Sequence, residues 1–563
     1  MRLVNLIVML VSLTVIAAYA FEIGRVLRGQ RRFSLGFAVC AVIFPLFFGA
    51  IVVAAYQAKP ISAGGLWGFL PFVALILYGL LRKSFTNAGD DGDQILRGST
   101  LVSGTDMMTS LYGNKTVKQI KKAPHRAEFI TLGEVAVPYR IEAQHLLFSG
   151  ATGSGKTQGI NRVLQAVRAR QHRALVADAG GSFVSRFFQP GDVIFNPFDS
   201  RSVDWSPFAE IRAEYDCARI AKAAIPDGQG DGQEWHHYAQ TLLGETLLAL
   251  VKRDRRSVTT LLHYLTNADS KELGELLSNT PAAILCVKGN EKMLANTRGI
   301  ISTYLLAWRY LPDQGQFSVR RWVQDEGQTS WLFVTFRDDQ LGLLRLLVAT
   351  ILELATVEGL SLAEDPERDL WFILDEADSL GKVSSLRAGL TKLRKYGCKV
   401  VVGLQTIAQF RATYGHDEAQ TLLANIATKV ILRAGDGETA EYFSTEFGDQ
   451  EITRMQWSQT EGYSQGTGLL NPGNASHSTA HTQIREHKRT ILASEIAGLP
   501  DLHGYLKLPG APIGAPIGAI RLEYEPLPEV APAYQESGIA WLKPSQNPIP
   551  GPSQNPDPSP IPT

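Results

Sequence analysis

Sulfur is scarce in this chain of 563 residues, and what there is stands apart. The four cysteines, Cys40, Cys217, Cys286 and Cys398, show neither metal-ligand spacing nor a disulfide framework. A reducing compartment fits at least the last three. Net charge is also lacking, since Lys+Arg and Asp+Glu are both 55. A zero total excludes a uniformly basic chain, but not nucleic-acid binding, which depends on local patches. Apolar residues run out at the C-terminal end. After Lys543 the chain is dominated by Pro, Ser, Asn and Gln, and Pro-Ser-Gln-Asn-Pro occurs twice. Such a segment cannot bury a core, so residues 531–563 read as a disordered tail.

Charge is absent altogether from three long runs near the start, Leu3 to Phe21, Phe33 to Tyr56 and Ile61 to Leu81. Each is about the ~20 residues needed to cross a bilayer, so residues 1–83 read as a membrane region of three helices. Arg25, Arg28, Arg31 and Arg32 crowd the first connection, the second has only Lys59, and Arg82 and Lys83 follow the third run. The positive-inside rule then puts the N-terminus outside and everything after Arg82 in the cytoplasm, as for a bacterial inner-membrane protein. Two rivals stand beside this reading. Ala18-Tyr19-Ala20 resembles a signal-peptide cleavage site, although cleavage there would put the arginines outside. One run could also be re-entrant, leaving two spans.

What the chain does have is a phosphate-binding loop. Gly150-Ala151-Thr152-Gly153-Ser154-Gly155-Lys156-Thr157 fits G-x-x-x-x-G-K-[ST] at every fixed position. A strand-like run, His145 to Ser149, precedes it and a helix-compatible stretch, Gln158 to Arg170, follows. The glycines let backbone N–H groups turn inward as an anion nest, and the helix N-terminus adds partial positive charge. Lys156 would reach the β- and γ-phosphates of ATP, and the Thr157 hydroxyl would hold Mg2+. A second carboxylate-bearing strand is supplied by Leu370-Trp371-Phe372-Ile373-Leu374-Asp375-Glu376. Asp375 would bind the magnesium through water, and Glu376 would act as general base. Gln405, directly after the Val400–Leu404 run, is placed either to sense the γ-phosphate or merely to end a strand.

Strand-like runs at Arg173–Asp178, Val193–Asn196, Trp331–Phe336, Lys399–Leu404 and Lys429–Arg433 alternate with helical stretches. This predicts an α/β fold with a doubly covered parallel sheet. The expected motor domain covers 84–205 and 312–530. Residues 206–311 lack strand alternation and read as an inserted all-α domain. Gln456 to Gln483, rich in Ser, Thr, Gly, Asn and Gln, reads as a mobile loop.

These features together resemble the TraD/TrwB-type coupling ATPases of conjugative type IV secretion, over roughly Arg97 to Tyr524. The residues that carry the resemblance are Glu142-Ala143-Gln144-His145, Asn196-Pro197-Phe198-Asp199-Ser200-Arg201-Ser202, Leu374-Asp375-Glu376-Ala377-Asp378, Arg394-Lys395-Tyr396-Gly397, Gly403-Leu404-Gln405-Thr406 and the Leu499–Gly510 segment. The resemblance implies a RecA-like motor, a helical domain facing the cytosol, a homohexamer and DNA-stimulated ATP hydrolysis. Its partners would be a relaxase on single-stranded DNA and the secretion channel. It makes Gln405 the sensor glutamine and places Arg394 where an arginine finger reaches the neighbouring subunit's nucleotide, with Arg433 as a weaker rival. Where relatives often carry Asp-Pro-Lys-Gly, this chain has Asp178-Ala179-Gly180-Gly181, so that lysine is absent. Many relatives also have two membrane spans rather than three.

DNA contacts are less legible. Lys115, Lys118, Lys121, Lys122 and Arg126 form one basic cluster and Lys252, Arg253, Arg255 and Arg256 another. Either could equally be a solvated face, and the first could lie near lipid heads. Trp235, His236, His237 and Tyr238 could line a channel or simply pack. Two other functions share these features. An FtsK-like double-stranded-DNA translocase has the same motor and spans, but no winged-helix-like domain follows the motor here. A non-pumping, nucleotide-gated receptor would need no Asp375-Glu376 pair.

Overall fold

The computed structural model describes residues 94–122, 129–228, 230–463, 475–510 and 516–537. The three apolar runs and the chain beyond Ser537 lie outside the described residues, as do parts of the Gln456–Gln483 segment.

In chain order the elements that position the site are β1 (Gln94–Gly98), β2 (Thr100–Ser103), α1 (Gly104–Lys122), β3 (Thr131–Leu132), β4 (Val135–Ala136), β5 (Leu146–Ser149), α2 (Lys156–Ala169), β6 (Arg173–Ala179) and β7 (Val193–Phe195). A helical stretch follows, including α3 (Glu214–Ala224), α4 (Gln233–Lys252) and α5 (Glu291–Tyr304). Then come β8 (Leu332–Phe336), α6 (Asp338–Gly359), β9 (Leu370–Leu374), α7 (Leu386–Lys392), β10 (Cys398–Leu404), β11 (Thr428–Ile431) and α8 (Gly437–Phe447). The last strands are β12 (Asp449–Tyr463), β13 (Ala475–Arg489), β14 (His503–Lys507) and β15 (Pro516–Arg521).

Ten strands form one sheet, in the order β2-β15-β14-β11-β5-β10-β9-β6-β8-β7. From β11 to β7 every pairing is parallel, while β14 runs antiparallel to β11 and β15 antiparallel to β14. Period-2 alternation sends successive side chains to opposite faces. Leu147, Leu175, Phe372, Leu374, Val400 and Val402 pack on one side against the helices after β7. Phe148, Val176, Phe333, Ile373 and Val401 pack on the other against α2. The α2 sequence presents Ile160, Val163, Leu164 and Val167 at helical spacing, and all four are buried. Burial on both faces is why these strands read as nearly continuous apolar runs.

Three features add to the expected organisation. The helical stretch from α3 to Tyr310 shares one buried cluster with the sheet, through Leu242, Leu247, Trp308 and Phe195 among others, so its core is continuous with that of the motor. The described residues also divide into two compact units, with Gln94–Arg97 and the described parts of Glu451–Lys488 in one and those of Gly98–Gln450 and Arg489–Ser537 in the other. In the first unit β1, β12 and β13 form a separate three-stranded sheet, so much of the expected mobile loop is two strands of 15 residues each. Backbone pairing supplies the order there, without the apolar periodicity that marks a buried strand. Lastly, residues 531–537 of the expected tail are docked on the motor. Ala531 N–H donates to Ser185 O, Ser537 N–H to Phe198 O and the Tyr534 hydroxyl to Phe198 O (3.3, 2.9 and 2.8 Å).

The α6 helix is long and apolar enough to cross a membrane. Leu344, Leu347, Ile351, Leu352 and Leu354 are nevertheless buried in the protein core, which makes it a core helix.

Candidate functional site

The loop Gly150–Gly155 closes the gap between β5 and α2 at the C-terminal edge of the sheet. Its neighbours hold it at both ends. Gly150 N–H donates to Leu404 O (3.1 Å), Ala151 N–H to Arg433 O (2.8 Å), and Ser154 O accepts from Leu502 N–H (2.9 Å). Gly155 sits at φ +107°, a conformation that side chains disfavour, and a Cβ there would stand 2.7 Å from Leu502 Cδ2. Thr152, Gly153 and Gly155 donate their N–H groups to no acceptor among the described residues. These amides lie at the start of the 14-residue helix α2, where the spacing places an anion nest.

Lys156 opens α2 and is only 7 % exposed. Its ammonium makes no hydrogen bond among the described residues, and Asp375 Oδ1 lies 3.7 Å away. Asp375 follows the fully buried strand β9. Burial pushes its carboxyl above the usual range, and the Lys156 charge works against that shift. Glu376, the next residue, takes φ +56°, which is uncommon away from glycine. That turn is pinned by Ala377 N–H to Gly403 O (3.0 Å) and Glu376 N–H to Asp375 Oδ1 (3.0 Å). The Gln405 amide donates to Glu376 Oε1 at 2.8 Å. Lys156, Asp375, Glu376 and Gln405 thus meet on one rim, on β5, β9 and β10, which are adjacent in the sheet. Thr157 is half-buried in the first turn of α2.

A third acid belongs to this rim. Asp178, at the end of β6, is fully buried. The β6–β9 register pairs Ala177 with Leu374, so Asp178 stands beside Asp375. Its Oδ2 accepts from Phe183 N–H (2.8 Å) and Val184 N–H (2.7 Å). Burial pushes its carboxyl up to about 7, the Asp375 charge adds to the shift, and the two amide bonds oppose it.

A model of the "Type IV secretion-system coupling protein DNA-binding domain" matches residues 129–523. The chain belongs to that family. It is 28 % identical to the coupling protein TraD of Escherichia coli K12 over 428 residues, which is 75 % of this chain and 58 % of TraD. It is 26 % identical to a conjugal transfer protein TraG of Escherichia coli over 362 residues, 56 % of each chain. The chain therefore spans a little over half the length of these two relatives. Among solved structures it resembles the unbound conjugative coupling protein TrwBdeltaN70, with TM-score 0.67 and 34 % identity over 79 % of this chain and 97 % of that one. TrwB in complex with ADP and Mg2+ gives TM-score 0.67 and 33 % identity over 79 % and 98 %.

Not every residue singled out in the sequence joins the rim. Arg394 is exposed on the turn Leu393–Tyr396 before β10, while Gln405 follows that strand. Seven strand residues, on the order of 23 Å, separate them, so Arg394 stays away from its own chain's phosphate loop. Arg433 does touch the loop, through its carbonyl, and its guanidinium pairs with Asp501 at 2.7 Å. In the second basic cluster Lys252 pairs with Glu214 (2.9 Å) and Arg256 reaches Asp254 (4.0 Å), which reduces the charge left for a phosphate. The side chains of Lys115, Lys121, Lys122 and Arg126 lie outside the described residues. Trp235 packs edge-on against Tyr238, and His236 Nδ1 is 2.7 Å from Pro226 O.

Sequence reasoning missed the Arg433–Asp501 pair and the contact of Leu502 with Gly155. The Leu499–Gly510 segment was visible as a family-like stretch, but no spacing rule brings it to the phosphate loop.

Proposed function

We propose that this chain is an ATPase that couples a relaxase–single-stranded-DNA complex to a type IV secretion channel, anchored in the bacterial inner membrane by residues 1–83. The observation that carries the reading is Lys156. A buried ammonium without a hydrogen bond among the described residues, next to amides that are free among them too, fits a nucleoside polyphosphate. ATP and magnesium are the ligands proposed, supported by TrwB having been solved with ADP and Mg2+ and with the ATP analogue ADPNP.

In this reading the nest and Lys156 hold the β- and γ-phosphates, and Thr157 and Asp375 hold the metal. Magnesium held there would supply neutralisation of phosphate charge. Glu376 takes a proton from the attacking water, and Gln405 fixes its carboxylate by the 2.8 Å bond. Because Arg394 lies at the far end of β10, its finger role requires a second copy of the chain, in keeping with a homohexamer around translocating DNA. The helices from 206 to 311 form the proposed cytosol-facing domain.

The test is ATP turnover with no DNA, single-stranded DNA and double-stranded DNA, alongside conjugative transfer. Lys156→Ala should lose nucleotide binding, turnover and transfer. Glu376→Gln should keep binding and lose turnover. Wild-type transfer by Lys156→Ala would sink the proposal, and stimulation by double-stranded DNA alone would favour an FtsK-like motor. Binding without sustained turnover in the wild type would leave a receptor.

A further inference from the structure

The Arg433–Asp501 pair straddles the phosphate loop. Arg433 follows β11, and its carbonyl takes the N–H of Ala151 near the start of the loop (2.8 Å). Asp501 precedes Leu502, whose N–H is given to Ser154 O near the loop's end (2.9 Å). The side chains then close on each other, Nη1 to Oδ1, at 2.7 Å. This ion pair is not buried, since the Arg433 side chain is 34 % exposed and the Asp501 side chain 61 %. An exposed pair is weak, so a stronger acceptor nearby can take the guanidinium from it.

The support beneath the pair is rigid. Leu502 holds φ +64°, an uncommon conformation for a leucine. It is fixed there by its own bond to Ser154, by Leu522 N–H donating to its carbonyl (2.7 Å), and by the space that Gly155 leaves open. Strain of this kind persists only where the surroundings over-determine it, and it collects at ligand sites. On the other side Ala434 N–H is tied to Ile496 O (3.3 Å). Arg433 is therefore anchored to the loop by its own carbonyl and Asp501 through its neighbour Leu502, while both side chains are partly exposed.

The geometry points to Arg433 as a nucleotide-binding residue contributed by the same chain, held in reserve by Asp501 and handed to the phosphates when the site fills. This rests on the nucleotide-site reading above and adds a residue to it. Asp501 does two things in the empty site. It neutralises Arg433, and it sets a carboxylate beside an anion nest, which opposes phosphate entry through like charge. Loading the site would break one exposed ion pair and form a charge-assisted bond from a planar donor to a phosphate oxygen.

Isothermal titration of the full chain with Mg2+ and either ATPγS or ADP tests the exchange. Arg433→Gln should weaken ATPγS binding at least about tenfold, since it removes a charge-assisted bond and leaves Asp501 unpaired. Asp501→Asn should tighten it by about threefold, since no pair then has to open. Added to Arg433→Gln, the Asp501→Asn change should gain less than it does alone. A pair that merely ties two loops would weaken binding in both single variants, and that result overturns the inference, as does unchanged affinity in either one. Thermal melts without nucleotide show whether each variant is folded. Lys156→Ala separates the two layers of the argument. If it binds ATPγS like the wild type, the nucleotide-site reading itself is wrong. If it fails to bind while Arg433→Gln and Asp501→Asn bind like the wild type, the phosphate-loop reading stands and the exchange alone falls.

Discussion

His145 begins the strand that feeds the phosphate loop, and its protonation state matters to the fold. The ring is buried, with Nε2 3.1 Å from Leu390 O and Nδ1 accepting the N–H of Val400 at 3.1 Å. One nitrogen must donate and the other accept, which only the neutral imidazole does. Burial pulls its pKa down to about 4, and the Arg394 charge adds to that. A base whose folded pKa is depressed binds fewer protons folded than unfolded. Its contribution to stability is therefore present above the unfolded value near 6.5 and is lost as pH falls through the window down to about 4. Between pH 7 and pH 5 the wild type should lose on the order of 2 kcal/mol from this one group. A His145→Gln variant, which keeps a donor and an acceptor, should lose less over the same interval. Urea midpoints at the two pH values measure the difference, and equal losses would clear His145. At this scale the sequence is most legible where chemistry fixes both residue type and spacing, as in Gly150–Thr157 and Asp375-Glu376. His145 was visible only as a family-like residue, because its bonds go to backbone groups far along the chain.

Among the elements, β9 and β10 carry the residues proposed for the reaction, and their close approach depends on a missing side chain. A Cβ at Gly403 would stand 2.5 Å from Asp375 Oδ1 and 3.3 Å from its Cα. The Gly403 carbonyl also takes the N–H of Ala377, which fixes the Glu376 turn (3.0 Å). Gly403→Ala should therefore displace Asp375 and Glu376 while leaving the Gly150–Gly155 nest on β5 in place. Turnover should fall at least about tenfold and by more than nucleotide affinity does, because Glu376 serves the reaction alone while Asp375 also helps to hold the magnesium. Steady-state ATPase assays beside titration calorimetry would show the split, and parallel loss of both would contradict it. The parallel sheet was readable because doubly buried strands are continuous apolar runs. The β12–β13 pair was not, because polar and charged residues dominate it and no alternation marks a buried face. What orders those strands is their own backbone pairing, which leaves little trace in composition.

At the scale of the whole motor, the segment from Pro526 to Ser537 ties distant parts of the rim together. Val530 N–H donates to Ser185 O (2.7 Å), Arg201 reaches Pro532 O (2.8 Å), Gln340 reaches the Tyr534 hydroxyl (3.3 Å), and Ser200 N–H bonds Gln535 O (2.8 Å). Proline content made this stretch look like the start of a tail, yet main-chain carbonyls and one tyrosine suffice to dock it. Gly181 is the point of closest approach, since a Cβ there would run into Ala533 O, and its φ of +73° already disfavours a side chain. Two costs would follow from Gly181→Ala in the full chain, the backbone strain of roughly 1–2 kcal/mol and the collision. In a chain ended at Pro526 only the first remains. The fall in Tm caused by Gly181→Ala should thus be larger in the full chain, and equal shifts in the two backgrounds would show that the docked segment bears no load. The consequence reaches the chemistry because Gly181 lies between Asp178 and the amides of Phe183 and Val184 that hold its carboxylate. Loosening the segment frees that loop, and Asp178 stands beside Asp375. Ending the chain at Pro526 should therefore lower ATP turnover as well as stability, and an unchanged turnover number would confine the segment to a structural role.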